Sequence, residues 1–156
     1  MTTWKLPPKI KIYEALGCLA DGRIEITSNT AKVYSSSRSK YYTVTFDPST
    51  SSIMCNDNGS FWQGYLGYPA IAYLLKTGVI PYSKHSGEIL KDIMWKDINQ
   101  GFKNDFLKTE KYCKNLVVER GGDLPAIRKD IAQIYIYLDE HPLGILGSKI
   151  KPPSGY

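Results

Sequence analysis

The sequence predicts an α+β fold, in which a small antiparallel β-meander is flanked by helices and followed by a helical C-terminal region. Apolar residues recur at helical spacing over residues 9–20, at every second position over much of residues 23–55, and at helical spacing again beyond residue 69. The chain has 156 residues with 42% hydrophobic and 22% charged side chains, which is typical of one compact globular domain.

The first predicted element is a helix over residues 9–20, directly after Pro7-Pro8. Ile10, Tyr13 and Leu16 lie close to one helical face. Gly22 can adopt the left-handed conformation that ends a helix.

Three or four antiparallel strands are predicted between Arg23 and Cys55. The alternation is strongest at Tyr42, Val44 and Phe46, which share one face of a strand. Polar, turn-like segments separate the strands. A sheet of this size needs a packed layer on its apolar face, which the neighbouring helices can supply.

An aromatic loop follows the meander, and a helix is predicted to begin near Pro69 and end at Gly78. Beyond it, Ser86 is expected to cap a helix, and Asp123 to begin a final helix that ends at His141. The inner stripe of the helix after Ser86 is expected to contain Ile89, Leu90, Ile93, Met94 and Ile98. We therefore divide the chain into an α+β module (1–80), a helical extension packed on it (81–142) and a flexible tail (143–156).

The order of elements in the first module resembles the SWIM-type zinc finger. The matching stretches are a hairpin at residues 31–36, a Tyr-x-Val strand at residues 42–44, a first knuckle at Cys55 and a helix at residues 72–75. The resemblance covers about a third of the chain and implies DNA or protein contacts, including roles in DNA recombination and repair. That implication is an analogy at the level of the family.

Most zinc ligands of that family are absent from this sequence. Cys55 takes the place of the first cysteine, but Asp57 replaces the second, and residues 67–69 lack the Cys-x-His pair. Structural zinc requires four ligands, so we predict no metal and no cofactor, with Cys55 and Asp57 as weak candidates. If zinc were bound, its further ligands would have to come from Cys18, His85 and Cys113.

The aromatic loop lies where the metal would be, and it contains Phe61, Trp62, Tyr65 and Tyr68. One hypothesis is that these four rings form a hydrophobic plug that replaces the metal. The alternative is an exposed aromatic loop used for binding a partner.

The net charge of +5 permits contact with nucleic acid. The turn before the third strand combines Arg38, Lys40 and Tyr41, and Lys32 lies on the neighbouring strand. Cations suit phosphate oxygens and tyrosine can stack on bases, so these four residues are the candidate nucleic-acid contacts. A solvated hairpin turn is the alternative.

We identify no catalytic constellation, since the sequence contains neither a phosphate-binding glycine loop nor a nucleophile elbow. The predicted function is a non-enzymatic interaction module that binds nucleic acid or protein. Two alternatives stay open: a small enzyme with a pocket between the sheet and the C-terminal helices, and a structural or oligomerisation protein.

Three cysteines, an odd number without a Cys-x-x-Cys pair, indicate buried, reduced thiols. No apolar run approaches the roughly 18 residues that a bilayer crossing requires, and the N-terminus lacks a signal core. We therefore expect a cytoplasmic protein that is not embedded in a membrane.

Overall fold

The computed structural model describes residues 2–154, and it confirms the α+β class. Within these residues the helices are α1 (Ile10–Ala20), α2 (Tyr68–Lys76), α3 (Trp95–Gly101), α4 (Phe106–Glu119) and α5 (Leu124–Glu140). The strands are β1 (Ile24–Thr27), β2 (Thr30–Tyr34), β3 (Tyr41–Asp47), β4 (Ser52–Cys55) and β5 (Gly144–Ile145). A π-helical turn (Gly59–Gln63) and a 3₁₀ turn (Glu88–Leu90) lie between them.

The sheet has the strand order β1-β2-β3-β4-β5, and its first four strands form the predicted antiparallel meander. Val33 lies opposite Tyr42, and Val44 lies opposite Cys55. These four side chains are buried, whereas Lys32, Tyr41 and Thr43 are exposed. The period-two pattern therefore defines a core face and a solvent face.

Helices α1 and α2 pack against each other, and α2 also covers β3 and β4. The ring of Tyr73 in α2 lies 5.9 Å from the ring of Phe46 in β3. One hydrophobic cluster runs from Trp4 to Leu138 and includes side chains from α4 and α5. The predicted module and the predicted extension thus contribute to the same core.

The predicted helix after Ser86 is interrupted, and this part of the prediction is wrong. The 3₁₀ turn ends at Leu90, and α3 begins five residues later at Trp95. Asp92 has a positive φ of 61°, and its backbone N–H donates a hydrogen bond to the Asp21 carboxylate at 2.7 Å. This contact with the end of α1 holds the chain out of helical geometry, and Met94 from the predicted inner stripe is 40% exposed.

The beginning of the predicted flexible tail forms strand β5, which pairs in parallel with β4. The N-terminal segment also pairs there, because the Trp4 N–H donates to the Leu143 carbonyl at 2.9 Å. Residue 1 of the predicted module and residues 155–156 of the predicted tail lie outside the described residues.

Cys18, Cys55 and Cys113 are all buried and free. Burial raises the pKa of Cys18 to about 11 and that of Cys113 to about 12. Among the helices of residues 2–154, none combines the length and the apolar character needed to cross a membrane.

Candidate functional site

The segment from Cys55 to Gly67, which the sequence comparison matched to a zinc knuckle, contains a buried cluster of hydrogen bonds centred on Ser60. The Ser60 hydroxyl donates to Asp57 Oδ1 at 2.6 Å and accepts from the Gly67 N–H at 3.1 Å. Cys55 Sγ lies 3.0 Å from the same oxygen. A hydroxyl has one hydrogen and two lone pairs, so the Cys55 thiol is the donor in this contact.

This cluster links the end of β4 to the start of α2 through buried side-chain hydrogen bonds. Burial, followed by the charge of Asp57, raises the pKa of Cys55 well above its ordinary value, so the thiol keeps its proton. A Cβ on Gly67 would overlap the Asp57 carboxylate, so the position requires glycine. Nowhere in residues 2–154 do three or more His, Cys, Asp or Glu side chains form a group that could hold a metal ion.

The four rings of the aromatic loop separate into three places, so the hypothesis of one hydrophobic plug is wrong. Trp62 is 63% exposed and stacks edge-on against Phe61, with ring centroids 4.7 Å apart. Tyr65 is buried next to Gly59. Tyr68 packs edge-on against Tyr42 and lies 5.9 Å from the Arg23 guanidinium. The rings separate because Phe61 and Trp62 lie on the π-helical turn, whereas Tyr68 is the first residue of α2.

The four predicted nucleic-acid residues also separate. Lys32 and Tyr41 meet on the solvent face of the sheet, where the Lys32 ammonium lies 5.0 Å from the Tyr41 ring centroid. The Tyr34 ring lies 5.9 Å from the same ring. Arg38 instead donates to the Asp21 carbonyl at 2.6 Å, and Lys40 donates to the Pro153 carbonyl at 3.3 Å.

A polar cleft of about 380 Å³ lies between α1, the β2–β3 hairpin, the π-helical turn and α3. This volume falls within the range of small-molecule sites. We refer to it as the cleft, and its lining residues are Lys11, Glu14, Arg23, Ser35, Ser36, Tyr42, Asp57, Asn58, Gly59, Tyr68, Trp95, Lys96, Asn99, Gln100 and Asn104. Asp57 and Tyr68 were singled out from the sequence, whereas most of the others were not.

One wall of the cleft is an ordered network that begins on α1. The carboxylate of Glu14 is 2.9 Å from the Lys11 ammonium and accepts a hydrogen bond of 3.2 Å from the Asn99 amide. Asn99 in turn accepts from the buried Thr109 hydroxyl at 2.9 Å. Burial disfavours charge on Lys11, but Glu14 and Tyr65 outweigh it, and the pKa of Lys11 is raised. Lys11 therefore remains a cation in this wall.

One end of the cleft is formed around Arg23, which is 1% exposed. Its Nε donates to the Asp21 carboxylate at 3.0 Å, and its Nη1 donates to the Tyr34 carbonyl at 2.8 Å. Its Nη2 has no hydrogen-bond partner within residues 2–154. Ser35, Ser36 and Lys96 line the cleft with it. This end therefore presents mainly hydrogen-bond donors and hydroxyls.

Sequence reasoning missed the cleft because its members come from distant parts of the chain. One local signal was available, since Glu14 is a single carboxylate within the otherwise apolar stretch of residues 12–20. A buried charge in such a stretch requires a partner and therefore marks a polar site. Arg23 and Asn99 carry no comparable local signal.

The fold and the cleft define a small α+β protein with a preformed polar site. The chain belongs to the family described as Uncharacterised conserved protein UCP014422, whose model matches residues 4–143. The matched span includes α1 to α5 and every residue that lines the cleft. Neither the curated proteins nor the solved structures contain a match to this chain.

Proposed function

We propose that this protein binds a small polar ligand in the cleft. One observation carries the proposal: within residues 2–154, five of the eight buried polar or charged residues line this single cavity, namely Glu14, Arg23, Ser35, Asp57 and Asn99. Burying polar groups opposes folding unless each one is compensated, so their concentration at one cavity favours a functional reason.

The chemistry of the lining favours binding over nucleophilic catalysis. The described lining contains no histidine or cysteine, and both of its carboxylates already have partners. Glu14 is held by Lys11 and Asn99, and Asp57 is held by Ser60. A non-enzymatic binding protein is therefore the first proposal, and a small enzyme that uses the same cleft is its alternative.

A matched pair of variants tests the proposal. Gln100 is an exposed residue of α3 that lines the cleft, and Gln133 is an exposed residue of α5 outside that lining. We expect Gln100→Trp to narrow the cleft and abolish the binding of fragments found by ligand-observed NMR with the wild-type protein. Gln133→Trp should leave the same binding unchanged. Equal binding to both variants would place the ligands elsewhere and contradict the proposal.

A second candidate function is contact with single-stranded nucleic acid through the outer sheet face, which we define as Lys32, Tyr34 and Tyr41. The observation that favours it is the cluster of one ammonium and two rings, with Tyr41 45% exposed. Exposed rings beside cations suit base stacking with phosphate contact. Glu25 lies opposite Lys32 across β1 and β2, and its carboxylate opposes phosphate contact at this surface. For this reason ligand binding in the cleft is the first proposal and nucleic-acid contact is the second.

Fluorescence anisotropy with a labelled oligothymidylate tests this second candidate. Tyr41→Ala should weaken binding by about 1–3 kcal/mol, the value of one stacked base. Lys32→Ala should reduce the salt dependence, whereas Lys76→Ala on α2 serves as a charge-matched control. An affinity that does not change with salt concentration would argue against phosphate contacts.

We infer that the protein works in a reducing compartment, and we propose the cytoplasm. The three free and buried thiols support this location. Fractionation of cells that express the tagged protein would test it, and recovery in an oxidising compartment would contradict it.

A further inference from the structure

Arg23 is the most unusual polar side chain of the cleft. A guanidinium stays charged at all accessible pH values and carries five N–H donors. In this protein Nε and Nη1 bind Asp21 and the Tyr34 carbonyl, while the buried Nη2 has no partner within the described residues. Buried donors are almost always paired in native structures, so an unpaired one in a residue that lines a cavity indicates a site for a water molecule or a ligand group.

The surroundings of Arg23 favour an anionic group over a neutral one. The Lys96 side chain lines the same cavity, and the Ser36 hydroxyl accepts a hydrogen bond of 3.1 Å from the Lys96 backbone N–H. Loss of hydration and the charge of Lys96 lower the pKa of Lys40, so a third cation lies close to this end. The Asp21 carboxylate opposes these charges, but it is engaged by Arg23 Nε and by the Asp92 N–H.

Each carboxylate that lines the cleft has at least one partner, although Glu14 Oε2, like Arg23 Nη2 and the Trp95 indole N–H, makes no hydrogen bond within the described residues. Glu14 is paired with Lys11, and Asp57 accepts two hydrogen bonds from Ser60. The lining itself carries three cations (Lys11, Arg23 and Lys96), two carboxylates and several neutral amides. A ligand with one anionic end and a neutral, hydrogen-bonding body matches this distribution.

We propose that Arg23 Nη2 binds an oxygen of a carboxylate or phosphate group on a small ligand, whose neutral part lies along Asn99 and Gln100. Guanidinium groups form short, charge-assisted hydrogen bonds with these two groups. The Tyr68 ring, whose centroid lies 5.9 Å from the guanidinium carbon of Arg23, lines the same cavity. This inference rests on the proposed function, since it names the ligand class of the same cleft.

Side-chain NMR of the ¹⁵N-labelled protein tests the inference. Inorganic phosphate and sodium formate are titrated separately, with sodium chloride at matched ionic strength as the control. On addition of the anion that binds, we expect a saturable shift of the NMR resonances of the Arg23 side-chain N–H groups and of the indole N–H of Trp95, which lines the cleft. The exposed Trp62 indole should not shift. A response to phosphate or to formate identifies the class, and a response equal to that of chloride overturns the inference.

Two variants add an affinity criterion. Arg23→Lys keeps the charge but removes Nη2, and it should weaken the binding of the responding anion at least tenfold. Because Arg23 also supports Tyr34, this variant can fail to fold. Ser36→Asp then decides, since it keeps an acceptor for the Lys96 N–H and adds a negative charge to the cleft. It should weaken binding at least tenfold relative to Ser37→Asp on the same hairpin, and equal affinities would overturn the inference.

Neutral fragments separate this inference from the proposed function. If neutral fragments shift the NMR resonance of the Trp95 indole N–H and neither phosphate nor formate does, the cleft binds ligands but Arg23 does not select an anionic group. If neither class shifts it, both the inference and the proposed function fail.

Discussion

Replacing Ser60 by alanine removes one hydroxyl that takes part in three buried hydrogen bonds. The substitution deprives Asp57 Oδ1 of its 2.6 Å donor and the Gly67 N–H of its 3.1 Å acceptor. It also leaves the Cys55 thiol without its partner at 3.0 Å. Ser60 itself is fully buried, so bulk water does not reach its hydroxyl.

The expected loss of stability follows from these three contacts. A hydrogen bond to a charged group contributes about 1.5–3 kcal/mol, and a stranded buried N–H costs about 1–3 kcal/mol. The thiol contact is weaker and adds little. We therefore expect Ser60→Ala to lower the free energy of unfolding by about 3–5 kcal/mol.

Urea unfolding followed by tryptophan fluorescence measures this loss. The comparison requires that the m-value stays the same in both proteins. Ser83→Ala, at an exposed loop position, is the control and should change stability by no more than about 0.5 kcal/mol. A loss below about 1 kcal/mol for Ser60→Ala would refute the view that this cluster stabilises the connection between β4 and α2.

Three further predictions concern other parts of the fold. Trp62→Ala should cost less than about 1.5 kcal/mol in urea unfolding, because the ring is largely exposed; a cost of about 3 kcal/mol or more would indicate a core residue. Gly67→Ala should cost about 1–3 kcal/mol, since its Cβ would overlap the Asp57 carboxylate. The matched Gly101→Ala has open space around its Cβ and should be neutral or stabilising, and equal effects of the two would contradict this reasoning. Burial raises the pKa of Cys18 from 9.0 to about 11, so its thiol stabilises the fold below pH 9 and loses this contribution as the pH rises to 11. The stability difference between wild type and Cys18→Ala should shrink by about 2–3 kcal/mol over that interval, and a constant difference would show that the thiol does not titrate differently on unfolding.

The strands were predictable because their pattern is local. Alternating burial at Tyr42, Val44 and Phe46 defines one face of β3, and turn residues mark its ends. The final helix was predictable for a similar reason, since Asp123 caps it through a 3.1 Å hydrogen bond from the Ala126 N–H. In both elements short-range preferences agree with the tertiary structure.

The break between Leu90 and Trp95 could not be predicted from local patterns. It depends on the hydrogen bond between the Asp92 N–H and Asp21, two residues that are 71 positions apart. Strand β5 was missed for the same reason. It has only two residues, and its position depends on pairing with β4 and on contact with the N-terminal segment.

The cleft required the structure because its walls are distant in sequence. Glu14 and Asn99 are 85 positions apart, yet their side chains share a hydrogen bond. No spacing rule links such residues in a single sequence. The resemblance to a zinc module singled out Cys55 and Asp57. Asp57 belongs both to the Ser60 cluster and to the cleft wall.

A crystal structure of the protein soaked with its tightest-binding fragment tests the central claim most directly. We predict density between α3 and the π-helical turn, with an anionic group within hydrogen-bond distance of Arg23 Nη2 and the rest of the fragment beside Asn99. Density on the outer sheet face, or at another surface with the cleft left open, would contradict the claim that the cleft is the binding site.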